Sequence, residues 1–455
     1  MNPQPTICAI ATAPATGAIA VIRISGDGAL RCLGHLWPSM PDQLLPRVQT
    51  LARLRAADGT PLDQALVTWF KAPASFTGED VVEIACHGGL LTPAAIVDAL
   101  RAAGAQPAAA GEFTRRALLN GKLDLLQVEA IADVIHAQSE SGRILAQQNL
   151  EGHLSGVVHR LMERLTHLLV LVEAAIDFSL EEHVYSISAA QITQHLDGIL
   201  PDLDRLLASW HNGRLRSEGI RVAIVGRPNA GKSTLLNLLV GTDRALVSDI
   251  AGTTRDYIEE SVQVDGLRFV LVDTAGLRDA DESLEARGIE RTWRQVAQAD
   301  AIWVVVDATS PSDLDTLLQE LTAAAATTPR WVIWNKMDLD RACAPPTGGA
   351  WSGLTALSLE SAQVDALHGV LRRTAAAAGV RGTEHAIITR SRHHDALLRA
   401  RCSLELAREA AQAGRDHELV AMDLHAALAA LGELTGAVTA DDILARIFDG
   451  FCIGK

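Results

Sequence analysis

At 455 residues and 48% apolar composition, the chain is too long for one ordinary hydrophobic core, and two or three folded domains are expected. Its 40 basic and 55 acidic side chains leave a net charge of −15, which argues against a protein that coats nucleic acid by bulk electrostatics, although a local basic patch or a basic partner remains compatible. No apolar run is long enough to span a bilayer and the start "MNPQPTICAI" lacks a secretory pattern, so a cytoplasmic protein without a membrane partner is expected.

Residues 1–118 mix β-rich runs ("GAIAVIRISG", "QALVTWF", "DVVEIACHGG") with turn signals and a helix from Pro93 to Ala103, which reads as an α+β domain. From 119 to 214 the period becomes helical with few breakers, as in "VVHRLMERLTHLLVLVEAAIDF". Between 215 and 380, "IRVAIVG", "RFVLVD", "AIWVVVD" and "RWVIWN" are near-continuous apolar runs alternating with amphipathic segments. That is the pattern of a doubly wound, Ras-like α/β domain with parallel strands covered on both faces. Helical composition returns over 381–455, so a discontinuous helical-bundle domain carries the α/β domain as an insertion. The cysteines at 8, 32, 86, 343, 402 and 452 contain no CxxC pair, and neither a zinc site nor a disulfide framework is suggested.

"GRPNAGKS" matches GxxxxGK[ST] and lies between the strand "IRVAIV" and the helix "STLLNLLVG", the context the motif requires. Gly226 and Gly231 let backbone N–H groups face the phosphates. Asn229, Ala230 and Thr234 complete the loop, Lys232 supplies charge at the β and γ phosphates, and Ser233 offers a hydroxyl to Mg²⁺. "DTAG" places Asp273 at a strand end toward the metal, with Thr274, Ala275 and Gly276 beside the γ-phosphate; Thr254 of "DIAGTTRD" suits a switch threonine that completes the Mg²⁺ shell. "NKMD" supplies Asn335, Lys336 and Asp338. A carboxylate accepts the two adjacent donors of guanine, whereas adenine would face it with a lone pair, so GTP or GDP is the expected ligand. Where a further base contact is expected the chain has "ALSLES", with Ser358 and Leu359 nearest. After "DTAG" stands Leu277, which cannot orient a water by hydrogen bonding, so another group must do so. Glu285 or Glu282 in the acidic stretch that follows could serve, and the sequence itself does not choose.

Together "SFTGEDVVEIACHGG", "GEFTRRALLNGKLDLLQVEAIADVI", "EAAIDF", the nucleotide motifs and the terminal "FCIGK" resemble the MnmE (TrmE) family of tRNA-modifying GTPases along the whole chain. The resemblance implies an N-terminal dimerising domain that binds a tetrahydrofolate derivative, and a flavoprotein partner, MnmG. With it a homodimer installs an aminomethyl-type group on carbon 5 of the wobble uridine of certain tRNAs. It also implies a K⁺ ion held by Asn229 and by Ser248, Ile250 and Thr253 of the first switch loop. That loop, with Asp249, Ala251 and Gly252 beside the nucleotide, closes over the ion when two GTPase domains meet. A cation there offsets developing charge as an arginine finger does. The family's catalytic glutamate maps onto Glu285, and its folate site onto Arg23, Glu83, Lys122 and Lys455. A pterin presents guanine-like donors to a carboxylate, and cationic side chains suit its glutamate tail. Cys452 reads either as a reactive thiol near the folate or as a small packed side chain, and His87 as a glycine-flanked turn histidine. A ribosome-assembly GTPase and a non-hydrolysing GTP-dependent scaffold switch are the competing functional readings.

Overall fold

The computed structural model describes residues 4–177, 187–242, 259–273, 293–311, 314–347, 351, 353–356, 358–359, 364–382, 386–437, 444, 447–448, 451 and 454. They fall into two compact units, one made of Met1–Ile135, Asn149–Ile199 and Arg399–Lys455, the other of His136–Gln148 and Leu200–Leu398.

The first unit is built on six strands: β1 (Ile7–Ile10), β2 (Ile19–Ser25), β3 (Thr50–Arg55), β4 (Pro61–Phe70), β5 (Val81–His87) and β6 (Gln106–Pro107). Their order is β3-β4-β5-β2-β1-β6, antiparallel except where β1 pairs with β6. Alternation decides the faces: on β2, Ile22 and Ile24 are fully buried with Ile84 of β5, while Arg23 between them points the other way. Helices α1 (Ala29–Leu36) and α2 (Leu91–Ala102) bury Leu33, Leu36, Ile96 and Leu100 on that inner face. The helix expected at Pro93–Ala103 thus starts two residues earlier.

Beyond the sheet come α3 (Glu112–Leu119) and α4 (Leu125–His136). The long helix α6 (His153–Asp177) and α12 (His417–Thr435) pack against each other. Helix α12 ends at Gly436, whose φ of 87° is one that only glycine adopts cheaply. The chain end returns to the N-terminal region: Phe448 and Phe451 join the cluster of Leu125, Val128 and Ile131. A Cβ on Gly454 would stand 2.5 Å from the Ile10 carbonyl oxygen, so the tail lies directly on the end of β1.

The second unit holds the sheet β12-β11-β10-β7-β9-β8, formed by β7 (Ile220–Val225), β8 (Glu259–Val264), β9 (Leu267–Asp273), β10 (Ala301–Asp307), β11 (Arg330–Asn335) and β12 (Gly353–Ala356). Only the β8–β9 hairpin is antiparallel. Because helices cover both faces, β11 is buried along its whole length, which is why no alternation is visible in "RWVIWN". Among the helices are α7 (Ala189–Glu218), α8 (Lys232–Thr242), α9 (Leu314–Ala324) and α10 (Val364–Ala377). Helices α5 (Glu140–Leu150) and α11 (Ser391–Gln412), like α7, have residues in both units.

Two buried polar side chains lock this sheet to its helices. Arg330, 6% exposed, donates to the Ala325 carbonyl at 2.7 Å and to the Thr322 hydroxyl at 2.9 Å, placing a cation at the negative end of α9. Trp303 donates its indole N–H to the Thr374 hydroxyl of α10 at 3.1 Å. Helix α7 joins the first strand of the sheet through Gly219 alone, and it packs closely on the segment before α11: a Cβ on Gly213 would lie 2.0 Å from the Ile388 carbonyl oxygen. Backbone cannot yield there as a flexible side chain would. Gly213→Ala is therefore expected to destabilise the second unit by about 1–3 kcal/mol, the usual cost of overpacking, read as a lower midpoint of its transition in scanning calorimetry.

Candidate nucleotide and pterin sites

Four parallel strands end side by side in the second unit. Ile224, near the end of β7, pairs with Asp273, the last residue of β9, and Asp307 at the end of β10 pairs with Asn335 at the end of β11. Strand order reverses between β7 and its neighbours, and in such sheets the crevice beyond the carboxyl ends is where ligands bind.

The loop from 226 to 231 fills that crevice. Asn229 (φ 61°) and Gly231 (φ 103°) turn it through left-handed conformations. Two glycines are required by close approach. A Cβ on Gly226 would come within 2.3 Å of the Val305 carbonyl oxygen, and one on Gly231 within 2.2 Å of Asn335 Nδ2. Lys232, 5% exposed, curls back over the loop, donating to the carbonyls of Gly226 at 2.8 Å and Arg227 at 2.7 Å. Ala230 is buried, whereas Asn229, Ser233 and Thr234 are exposed where α8 begins. A helix N-terminus, a lysine held inside a ring of peptide groups and exposed hydroxyls together make a site for phosphate.

Asn335, 3% exposed, ties this loop to the rest of the site. Its Nδ2 donates to the Ala230 carbonyl at 2.9 Å, and its Oδ1 accepts the Leu359 N–H at 3.3 Å. The structure thus brings Ser358 and Leu359, both buried, beside the residue that anchors the phosphate loop. Lys336, at φ 65°, reaches Asp307 Oδ2 at 2.5 Å, and Asp307 also accepts the Thr309 N–H and hydroxyl at 2.9 and 2.7 Å. Burial pushes the Asp307 carboxyl up, but hydrogen bonds from Lys336 and Thr309 outweigh it and hold the group below the usual carboxylate range. Asp338 follows in an exposed turn. Sequence reasoning missed Asp307, whose only signal is its place at the end of "AIWVVVD".

Thr254 and the whole loop Ser248–Thr253, Thr274, Ala275 and Gly276, Glu282 and Glu285, and the tail residues Cys452 and Lys455 all lie outside the described residues.

A model of the MnmE helical domain matches residues 125–452, and one of the GTP-binding protein TrmE N-terminus matches residues 6–122. The chain is 43% identical over 460 residues to the tRNA modification GTPase MnmE of Akkermansia muciniphila, covering all of both chains. It is also 43% identical to that of Azoarcus sp. strain BH72, covering 100% of this chain and 99% of the relative. The chain belongs to the MnmE family of tRNA modification GTPases. Among solved structures, the G domain of the T. maritima FeoB iron transporter aligns at 21% identity with a TM-score of 0.26, covering 35% of this chain and 98% of that one.

The N-terminal sheet carries a second polar cluster on its outer face. Arg23 and Glu83 are cross-strand partners, joined by Arg23 Nε and Nη2 to Glu83 Oε1 at 3.0 and 2.7 Å. The guanidinium also lies 5.4 Å from the Phe76 ring centre and 5.7 Å from that of Phe113. Lys122 donates to the Pro73 carbonyl at 3.1 Å, so it grips the same 71–80 segment that carries Phe76. Below lies a network that sequence reasoning passed over. Arg116, 2% exposed, donates to Glu79 Oε2 at 3.0 Å, Glu112 Oε1 at 2.9 Å and the Pro5 carbonyl at 2.8 Å. Ser25 donates to Glu79 Oε2 at 2.7 Å. Its signal was present, since Glu79 and Arg116 sit within "SFTGED" and "GEFTRR".

His87 proves to be the last residue of β5 rather than a turn residue, and its Nδ1 lies 2.7 Å from Asp63 Oδ1. Cys8, Cys32 and Cys86 are buried free thiols. Burial pushes the Cys8 thiol up to about 11, which leaves it inert at neutral pH. Among the described residues no group of histidine, cysteine and carboxylate side chains is placed to hold a metal by itself.

Two outcomes are expected. Gly231→Ala should weaken nucleotide binding by at least about tenfold, because Asn335 must move and release the loop, as read by titration calorimetry. The depressed Asp307 carboxyl contributes its ion pair fully at neutral pH and loses it as pH falls through its folded pKa, below the unperturbed value of about 3.9. Asp307→Asn should remove that acid-side step from a pH titration of nucleotide affinity.

Proposed function

We propose that this protein is a potassium-activated GTPase whose hydrolytic cycle, run by a homodimer with the flavoprotein MnmG, serves addition of an aminomethyl-type group to carbon 5 of the wobble uridine of certain tRNAs, with a tetrahydrofolate derivative as one-carbon donor. The observation that carries the GTPase reading is the buried Asn335 amide, which fastens the phosphate loop to the "NKMD" and "ALSLES" segments at the ends of adjacent strands.

Each group fits residues that are present. The phosphates of GTP suit the 226–231 loop, where a Cβ on either glycine would strike backbone or Asn335, and Lys232 would answer their charge. Mg²⁺ suits the exposed Ser233 hydroxyl and Asp273 on the neighbouring strand end, with Thr254 as a further ligand; it would neutralise charge on the β and γ oxygens. K⁺ suits the amide oxygen of Asn229, which the left-handed loop leaves exposed, together with Ser248, Ile250 and Thr253. With Leu277 unable to hydrogen-bond, Glu285 is assigned to hold the attacking water, as its match to the family glutamate favours over Glu282. Around this centre the chain binds, aligns and shields. Thr274, Ala275 and Gly276 are assigned to the γ-phosphate, and Ser248–Thr254 to the bound nucleotide.

For the pterin, Glu83 is the acceptor and Arg23, Lys122 and Lys455 the cations. Gly454 supports the last of these, lying against Ile10 on the same sheet. Homodimer formation is supported by the outer face of that sheet, where the cross-strand pair Leu51 and Leu66 is exposed. The net charge of −15 supports a division in which MnmG supplies much of the tRNA surface.

GTP turnover in KCl should exceed that in NaCl at equal ionic strength by at least about tenfold, the scale of one transition-state charge contact. Asn229→Ala should abolish the difference and Glu285→Ala should lower turnover in both salts. Equal turnover of the parent protein in both salts would sink the potassium assignment. Separately, Arg23→Ala should weaken binding of 5-formyltetrahydrofolate, followed by fluorescence, while leaving GTP turnover intact.

A further inference from the structure

In the first unit, the C-terminal end of α6 and the N-terminal half of α12 leave an open groove of about 420 Å³. Its lining is apolar at Ile176, Ala421 and Met422, and polar or charged at Glu173, Asp177, Glu418 and His425. The spacing explains the arrangement. Residues 418, 422 and 425 recur at i, i+4 and i+7 on one stripe of α12, and 173, 176 and 177 at i, i+3 and i+4 on one stripe of α6. Both stripes would be expected to be polar if they faced only water, yet Met422 is 60% exposed, and Leu419 (40%) and Val170 (57%) extend the apolar surface on the same two helices. An exposed methionine flanked by aliphatic side chains is a surface suited to repacking against another protein.

The charged lining decides the sign of the occupant. His425 Nε2 lies 2.7 Å from Glu173 Oε1, so one carboxylate has a partner. Asp177 and Glu418 make no ion pair among the described residues. Three carboxylates against one imidazole leave the groove acidic in either protonation state of His425, which repels a phosphate backbone and attracts lysine and arginine. Apolar side chains flanked by acidic ones on two packed helices are the complement of an amphipathic helix with basic flanks.

We propose that this groove docks an amphipathic helix of a partner protein, apolar along one face and rich in lysine or arginine along its flanks. The site owes nothing to the nucleotide or pterin readings, because every residue in it comes from α6 and α12.

The test uses the full chain and a fluorescein-labelled peptide of roughly 18 residues, about five helical turns, with leucine on one face and lysine on the flanks. Its controls are a scrambled peptide of the same composition and a glutamate-flanked counterpart. The lysine-flanked helix should bind best, and the double variant Asp177→Lys, Glu418→Lys and the separate variant Met422→Asp should each weaken it by at least about tenfold. Circular dichroism and GTP turnover should stay at parent values, since all three positions are exposed and remote in sequence from the nucleotide motifs. Equal binding of the scrambled peptide, or affinity unchanged in the variants, overturns the proposal. It is equally overturned if Met422→Asp changes only self-association, which would make a second copy the occupant, or if tRNA alone competes for the groove.

Discussion

One buried amide organises the nucleotide site. Asn335 offers a donor and an acceptor on the same planar group, and both are used across the chain: Ala230 lies 105 residues before it and Leu359 24 residues after it. At 3% exposure neither hydrogen bond competes with water, so leaving one unmade would cost the desolvation of a buried polar group, about 1–3 kcal/mol. The phosphate loop, the strand end and the "ALSLES" segment are thereby fixed as a set. The glycine at 231 is a consequence of this, since the amide stands where its Cβ would be.

The N-terminal sheet solves a different problem with similar means. A long segment between β4 and β5 must be held over the outer face without regular hydrogen bonding of its own. Glu79 does this by accepting from Ser25 and Arg116 at once. Arg116 spreads its charge over two carboxylates and a carbonyl, an arrangement that offsets the cost of burying a guanidinium at 2% exposure. Phe76 is then presented above Arg23, and Lys122 donates to the Pro73 carbonyl of the same segment. Position of the outer-face charges therefore depends on a network underneath them.

Local periodicity and motif spacing carried much of this in the sequence. The parallel strands were visible as uninterrupted apolar runs because both faces are covered, and the phosphate loop because its glycines are demanded by backbone geometry. Long-range pairing was not visible. Nothing near Asp307 announces that Lys336 will be its partner, and Arg116 looks like any helical arginine until α3 is seen to bring it under Glu79. His87 was misread as a turn residue because the glycines after it dominate the local pattern, whereas pairing with Ile19 extends the strand through it.

A chain with 15 more acidic than basic side chains still concentrates cations where anions are to be met: Lys232 within the phosphate loop, Arg23 and Lys122 on the outer sheet face. Lys232 is held by loop carbonyls, Arg23 by Glu83 and two aromatic rings, and Lys122 by the Pro73 carbonyl. The excess acid lies elsewhere, and on α6 and α12 it borders apolar surface. Helices that needed only solubility would interleave both signs, and exposed aliphatic side chains between unpaired carboxylates are costly to keep unless something basic covers them. The distribution, more than the total, separates the surfaces meant for phosphate from the one meant for protein.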